Sequence, residues 1–188
     1  VKRAAMAPAP APVAISAASD DAIQRLYQPG SFDVQPIDPM RRTIAQRLTQ
    51  SKQNVPHFYL SATCTLDTLL KAREALNASA PRDAAKAPLW KLSINDFVIK
   101  ALAMALQRVP DANVTWTDTG ILRHRTSDVG VAVAVEGGLF TPVLRAADSK
   151  PLAAISMDMK DLAARARLRK LAPAEYQGGT AAVSNLGM

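Results

Sequence analysis

Helix-type and strand-type patterns follow one another irregularly along this chain, and prolines separate several of them. Apolar residues recur at helical spacing before Pro56, before Pro110 and after Pro151. Because proline removes a backbone donor and breaks a helix interior, each of these positions bounds a helix. Strand-type alternation lies between the helices without the regular strand–helix–strand repeat of a parallel sheet. The sequence therefore predicts an α+β fold with a mixed or mostly antiparallel sheet.

The most clearly predicted helix follows Ser93, which forms a capping-box pair with Asp96, and it ends near Val109. Its apolar face is wide, so we expect a central position in the core. Further helices are predicted over residues 39–53, after a cap at Asp67, and from Pro151 with Ser149 as its cap.

Alternation of apolar and polar residues predicts the strands. They are expected at residues 57–65, 113–117, 121–125, 129–135 and 139–145, with a hairpin turn at Gly137. The first of these places Cys64 on the apolar face of a half-buried strand. We therefore expect Cys64 to be a buried, inert thiol rather than a nucleophile.

Composition narrows the possible functions. The 188 residues are 48% hydrophobic and 21% charged, which is typical of a globular domain. No apolar run is long enough to span a membrane, and a single cysteine fits a reducing compartment. The net charge of +7 favours phosphate-bearing ligands, from nucleic acid to a nucleotide-bearing cofactor. Aromatic residues make up only 5%, which argues against nucleic acid as the partner. No metal ligands are predicted.

Several motifs occur in an order that resembles the catalytic domain of the acyltransferase (E2) components of 2-oxo acid dehydrogenase complexes. They are residues 40–48, 56–61, 92–101, 138–143 and 176–180, followed by Ser184-Asn185-Leu186-Gly187-Met188. Together they cover most of residues 36–188, and the stretch at 56–61 is most similar to that of pyruvate-type members. The resemblance assigns residues 36–188 to the N-terminal and central part of the catalytic domain. The Ala/Pro-rich residues 1–35 are then a linker that follows a subunit-binding domain.

This resemblance implies a fold and an assembly. The fold is that of chloramphenicol acetyltransferase, a two-layer α+β domain, here expected to be incomplete at its C-terminus. Members form trimers with active sites between subunits, and the trimers build larger cores. Expected partners are further copies of the chain, the E1 and E3 components and lipoyl domains, with neither nucleic acid nor membrane. The compartment would be the bacterial cytoplasm or the mitochondrial matrix.

The resemblance also implies a chemistry, namely transfer of an acetyl group between coenzyme A and dihydrolipoamide carried on a separate lipoyl domain. Ser184 matches the serine that stabilises the oxyanion of the tetrahedral intermediate. The family's catalytic histidine belongs to a His-Arg-x-x-Asp-Gly-type motif, in which Asp-Gly begins four residues after the histidine. At that distance His57 is followed by Ser61-Ala62 and His124 by Asp128-Val129, so neither completes the motif. We therefore assign the base to neither and expect residues 1–188 alone to lack turnover. A non-catalytic relative that builds the core or binds subunits, and has lost the histidine, is the alternative.

The basic residues of the first predicted amphipathic helix allow two interpretations. Arg41, Arg42 and Arg47 could contact the phosphates of coenzyme A, or they could simply form a solvated helix face. The Gly137-Gly138 and Gly178-Gly179 pairs are predicted turns, because neither lies in a phosphate-binding glycine motif.

Overall fold

The structure, a computed structural model, describes residues 19–185. Most of the predicted linker and Leu186, Gly187 and Met188 of the last motif lie outside this range. The chain divides into two compact units, Val1–Pro39 and Met40–Met188. In the first unit, helix α1 (Asp20–Gln24) begins after Ser19, whose hydroxyl accepts a hydrogen bond from the Ala22 amide.

The helices of the second unit follow the sequence prediction closely. They are α2 (Pro39–Asn54), α3 (Asp67–Ala78), α4 (Ile94–Arg108) and α5 (Leu152–Arg167). At the start of α4 the predicted capping box is present, since the Ser93 hydroxyl accepts from the Asp96 amide and the Asp96 carboxylate accepts from the Ser93 amide. Single 3-10 turns occur at Pro110–Ala112 and Pro173–Glu175.

Two predicted helix caps are wrong. Asp67 is the first helical residue of α3, and the capping position before it is Leu66, which makes no side-chain cap. Pro151 occupies the capping position of α5. Ser149 lies two residues before this position, and its hydroxyl instead donates a hydrogen bond to the Ala146 carbonyl.

Seven short strands form small sheets within the described residues, and they confirm the α+β class with mixed pairing. The strands are β1 (Val114–Thr117), β2 (Gly120–Arg123), β3 (Val129–Val131), β4 (Val133–Val135), β5 (Gly138–Phe140), β6 (Val143–Leu144) and β7 (Ala181–Val183). Strands β1–β2 and β4–β5 are antiparallel hairpins, while β3 lies between antiparallel β6 and parallel β7. The predicted strand 129–135 is divided at Ala132, whose amide donates to the Val183 carbonyl at 2.9 Å.

The hydrophobic core lies between α4, α5 and the central three-stranded sheet. Its fully buried members come from all of these elements: Ile99, Ala103, Val129, Leu144, Ile155 and Ala166. Helix α4 is central, as its wide apolar face predicts. This core is the support on which the region around β7 is built.

The predicted strand at residues 57–65 is wrong. These residues have no regular secondary structure, and Phe58, Tyr59 and Leu60 are 81%, 81% and 87% exposed. Cys64 is also exposed rather than buried. The alternation of apolar and polar residues predicts only which side chains would share a face. A strand also needs a neighbouring strand that hydrogen-bonds to its backbone amides and carbonyls. Within residues 19–185 no strand pairs with this segment.

Candidate functional site around strand β7

Ser184 directly follows β7, and its position is therefore set by the pairing of that strand. Ala181, Ala182 and Val183 lie opposite Val129, Gly130 and Val131 of β3 in parallel register. The Ala132 amide extends this ladder to the Val183 carbonyl, so the chain is held up to the residue before Ser184. Ser184 itself is exposed.

The start of β7 is fixed by a second set of bonds, between Thr180 and Asp128. The Thr180 amide donates to the Asp128 carbonyl at 2.7 Å, and the Asp128 amide donates to the Thr180 hydroxyl at 3.2 Å. Just before them the backbone turns at Gly178, whose φ of +73° is a left-handed conformation that favours glycine. The predicted Gly178-Gly179 turn is thus present, and it leads the chain into β7.

A solvent-open cleft of about 320 Å³ lies beside β7. The lining combines small residues, two threonines and one aromatic ring: Gly130, Thr141, Val143, Tyr176, Gly179, Thr180, Ala181 and Ala182. The Tyr176 ring contacts Phe140 edge-on, with 5.8 Å between ring centroids. The cleft offers backbone groups and hydroxyls to a ligand rather than charges. Ser184 is not part of its lining.

Arg145 is the main charged group of this region, and it follows β6. Its guanidinium donates to the Asp128 carboxylate at 2.8 Å and to the carbonyls of Ala174, Gln177 and Gly178 at 2.8, 2.6 and 2.9 Å. Burial by itself would raise the pKa of Asp128. The hydrogen bond from the Ala146 amide and the contact with Arg145 outweigh burial and hold that pKa below its usual value.

A second ion pair holds the segment that precedes β7. Arg165 of α5 binds Glu175 at 2.7 Å and also Asp161 at 2.8 Å. The hydrogen bond from Arg165, assisted by one from the Ala172 amide, lowers the pKa of Glu175 from 4.5 to about 2. Residues 172–180 are therefore held to α5 by an ion pair and to the central sheet by hydrogen bonds. None of these ion-pair and hydrogen-bond partners is predicted from the sequence.

The two histidines have partners elsewhere in the chain. His57 contacts the Lys52 ammonium at 2.9 Å and the Val55 carbonyl at 3.1 Å. His124 contacts the Thr115 hydroxyl at 2.8 Å on the β1–β2 hairpin. The described contacts thus place neither imidazole with the residues that lead to Ser184. Among residues 19–185 there is also no group of histidine, cysteine and carboxylate side chains that could hold a metal ion.

The basic face of α2 is exposed at all three predicted positions, Arg41, Arg42 and Arg47. This exposure fits either of the two interpretations and does not decide between them. In the part of the chain that the structure describes, no helix is both long and apolar enough to cross a membrane.

Solved structures of acyltransferase catalytic cores share this fold. One is a probable dihydrolipoamide acetyltransferase from Listeria monocytogenes, with a TM-score of 0.74, 31% identity, and coverage of 84% of this chain and 65% of that one. Another is the dihydrolipoamide acetyltransferase of Azotobacter vinelandii, with a TM-score of 0.76, 28% identity, and coverage of 97% and 69%. That structure was solved to study a serine, a histidine and an asparagine in the catalytic mechanism.

Sequence similarity agrees with the fold. The family described as "2-oxoacid dehydrogenases acyltransferase (catalytic domain)" matches residues 29–188, and the chain belongs to that family. A relative from Rhizobium meliloti, a dihydrolipoyllysine-residue acetyltransferase component of pyruvate dehydrogenase complex, is 58% identical over 170 residues, covering 90% of this chain and 38% of the relative. The like-named component from Zymomonas mobilis is 50% identical over 152 residues, covering 81% and 33%. The chain thus spans between 33% and 38% of the length of these relatives.

Proposed function

We propose that this chain is part of the acetyltransferase core of a pyruvate dehydrogenase complex and serves transfer of an acetyl group between dihydrolipoamide and coenzyme A. The observation that carries the proposal is the 58% identity to a relative of that name over 90% of the chain. The dihydrolipoamide would arrive on a lipoyl domain, and coenzyme A would be the second substrate.

In this proposal Ser184 donates a hydrogen bond to the oxyanion of the tetrahedral intermediate. Support comes from its position directly after β7, which is hydrogen-bonded to β3 along its length. This pairing holds the backbone from which the Ser184 side chain extends. A serine is also among the residues studied in the mechanism of the Azotobacter vinelandii enzyme. A donor held in position before the reaction stabilises developing charge without reorganisation in the transition state.

A base must remove the thiol proton, and we propose that residues 1–188 do not supply it. The sequence has two histidines, and the described hydrogen-bond partners of both lie outside β7. Neither lies in a complete His-Arg-x-x-Asp-Gly motif, since Ser61-Ala62 and Asp128-Val129 stand where Asp-Gly would. A protein of these 188 residues alone is accordingly expected to lack turnover. A non-catalytic member, which builds the core or binds subunits, is the second candidate function.

The proposed partners follow from the same relatives. Further copies of the chain would form trimers and a larger core, as in a fold relative described as the cubic core of the pyruvate dehydrogenase multienzyme complex. E1 and E3 components and lipoyl domains would bind the assembled protein. Residues 1–35 are proposed as the linker to those domains, and the family match from residue 29 onward supports a boundary near this point.

The test is acetyl transfer from acetyl coenzyme A to dihydrolipoamide by the protein at its full natural length. Ser184→Ala is expected to lower kcat by about 10²–10³-fold with little change in KM, because one oxyanion donor is lost. Ser51→Ala, on the exposed surface of α2, is the matched control and should retain full activity. An unaltered kcat for Ser184→Ala would refute the assigned role. No transfer by the unmodified protein, combined with a stable oligomer, would favour the non-catalytic alternative.

A further inference from the structure

The guanidinium of Arg145 joins three parts of the chain. It binds the Asp128 carboxylate at the start of β3, while Arg145 itself follows β6. Its remaining described bonds go to three carbonyls of one short segment, those of Ala174, Gln177 and Gly178. That segment has no strand pairing of its own and leads directly into β7. One side chain therefore supplies the donors that this turn needs.

The geometry of these bonds requires arginine. The guanidinium is a rigid planar fork, and each of its two terminal nitrogens serves two acceptors here. A lysine would keep the positive charge next to Asp128, but its ammonium has only three donors on a flexible stem. Arg145→Lys, which keeps the positive charge, and Arg145→Met, which removes it, therefore separate the effect of charge from that of the guanidinium hydrogen bonds.

The consequence for Ser184 follows from strand geometry. A slip of β7 by one residue would move Ser184 along the sheet by about 3.3 Å. It would also turn each side chain of β7 to the opposite face. Strand β7 contains only the residues Ala181–Val183, and small apolar side chains of this kind do little to fix the register by themselves. The bonds before the strand must therefore contribute to fixing it.

We propose that Arg145 is a positioning residue for the acyl-transfer site, because it sets the register of β7 against β3 and thereby the location of the Ser184 hydroxyl. This inference rests on the proposed function of Ser184 only in its second half. The first half, the control of strand register, concerns the fold of this chain alone. The two halves can be measured separately.

The first measurement is amide hydrogen exchange at residues 180–183. Arg145→Met removes the charge and the fork, and it should raise exchange of these amides by about 10-fold or more, while the amides of α4 keep their protection. Arg145→Lys should raise exchange at the same amides by less. Arg123→Met is the matched control, since the described ion pair of Arg123, at the end of β2, is with Asp111 of the Pro110–Ala112 turn, and both side chains are exposed. Unchanged exchange in Arg145→Met would overturn the inference.

The second measurement is a double-mutant cycle between Arg145→Met and Ser184→Ala, with activity assayed on the protein at its full natural length. Arg145→Met is expected to lower kcat by about 10-fold or more with KM little changed, but by less than about 2-fold when Ser184 is already alanine. Equal losses in both backgrounds would show that Arg145 does not act through Ser184, and would overturn the inference.

The two proposals fail in different ways. If Ser184→Ala keeps full activity while Arg145→Met still loosens residues 180–183, the role assigned to Ser184 is refuted and the control of register is upheld. If the unmodified protein has no turnover at all, the exchange measurement alone decides whether Arg145 fixes β7. Misfolding could also explain a loss of protection in Arg145→Met. Arg145→Lys controls for this explanation, because lysine keeps a positive charge beside Asp128.

Discussion

Replacement of Ile155 by alanine should destabilise the folded chain far more than the same replacement at Ile44. Ile155 lies in α5, is fully buried and belongs to the core cluster with Ile99 and Leu144. Ile44 lies in α2, is 41% exposed, and belongs to a helix that buries no residue. Both residues are helical isoleucines, so the gain in helix propensity on changing to alanine, up to about 0.5 kcal/mol, is common to the two variants.

The expected magnitude follows from what the substitution removes. Isoleucine to alanine deletes three carbon groups, each worth about 0.8 kcal/mol when fully buried, which gives roughly 2.4 kcal/mol of lost transfer free energy. The cavity that remains between α4, α5 and the sheet adds to this, so the total should be about 3–4 kcal/mol. Ile44→Ala should cost less than about 1 kcal/mol, because most of the deleted surface is only partly removed from water.

Urea unfolding at one fixed protein concentration measures both variants. The midpoint of Ile155→Ala should fall strongly while its m-value stays that of the unmodified protein. A difference between the two variants of less than about 1 kcal/mol would refute the placement of Ile155 in the core. A changed m-value would show instead that the substitution altered the compactness of one of the two states.

Three further predictions concern local features. Ser93→Ala should cost about 0.5–2 kcal/mol of unfolding free energy and increase amide exchange near Asp96, since one partner of the capping box is lost; unchanged exchange would argue against the cap. Gly178→Ala should cost about 1–2 kcal/mol, because φ is +73° there, and a neutral result in thermal unfolding would contradict that turn. The pKa values of Glu175 and Asp128 are lowered on folding, so both carboxylates stabilise the folded chain at neutral pH. The contribution of Glu175 should be lost as the pH falls from 4.5 to about 2 in urea titrations, and Glu175→Gln should reduce that loss. The contribution of Asp128 should be lost as the pH falls below 3.8.

Local signals in the sequence predict most of the fold. Helix α4 is found with its cap because Ser93 and Asp96 act on neighbouring backbone groups, and the wide apolar face of the helix predicts its burial. Strand β3 is predicted from the apolar run that begins at Val129. A strand that is covered on both faces needs such a run, and all three residues of β3 are buried. Such signals depend on residues only a few positions apart, and a single sequence contains them in full.

Features that depend on distant partners are not predicted from the sequence. Residues 57–65 alternate like a strand, but whether they become one depends on a neighbour that alternation does not specify. The predicted burial of Cys64 is wrong for the same reason, since it assumed that residues 57–65 form a strand. Arg145 is an ordinary residue in the sequence, and its four acceptors lie up to 33 positions away. Motif resemblance suggests the role that we propose for Ser184, yet it gives no information about the groups that hold the residue in place.

The parallel pairing of β7 with β3 sets an order of events during synthesis. Asp128 and Thr180, which are bonded at the start of this pair, are 52 positions apart in the chain. At ordinary translation rates of about 5–20 residues per second, roughly 3–10 s pass between their appearance. For that time β3 has β6 as its neighbour but leaves its other edge open. The part of the molecule that holds Ser184 is therefore completed after its scaffold, and a nascent chain presents a sheet edge to chaperones or other chains before it presents Ser184.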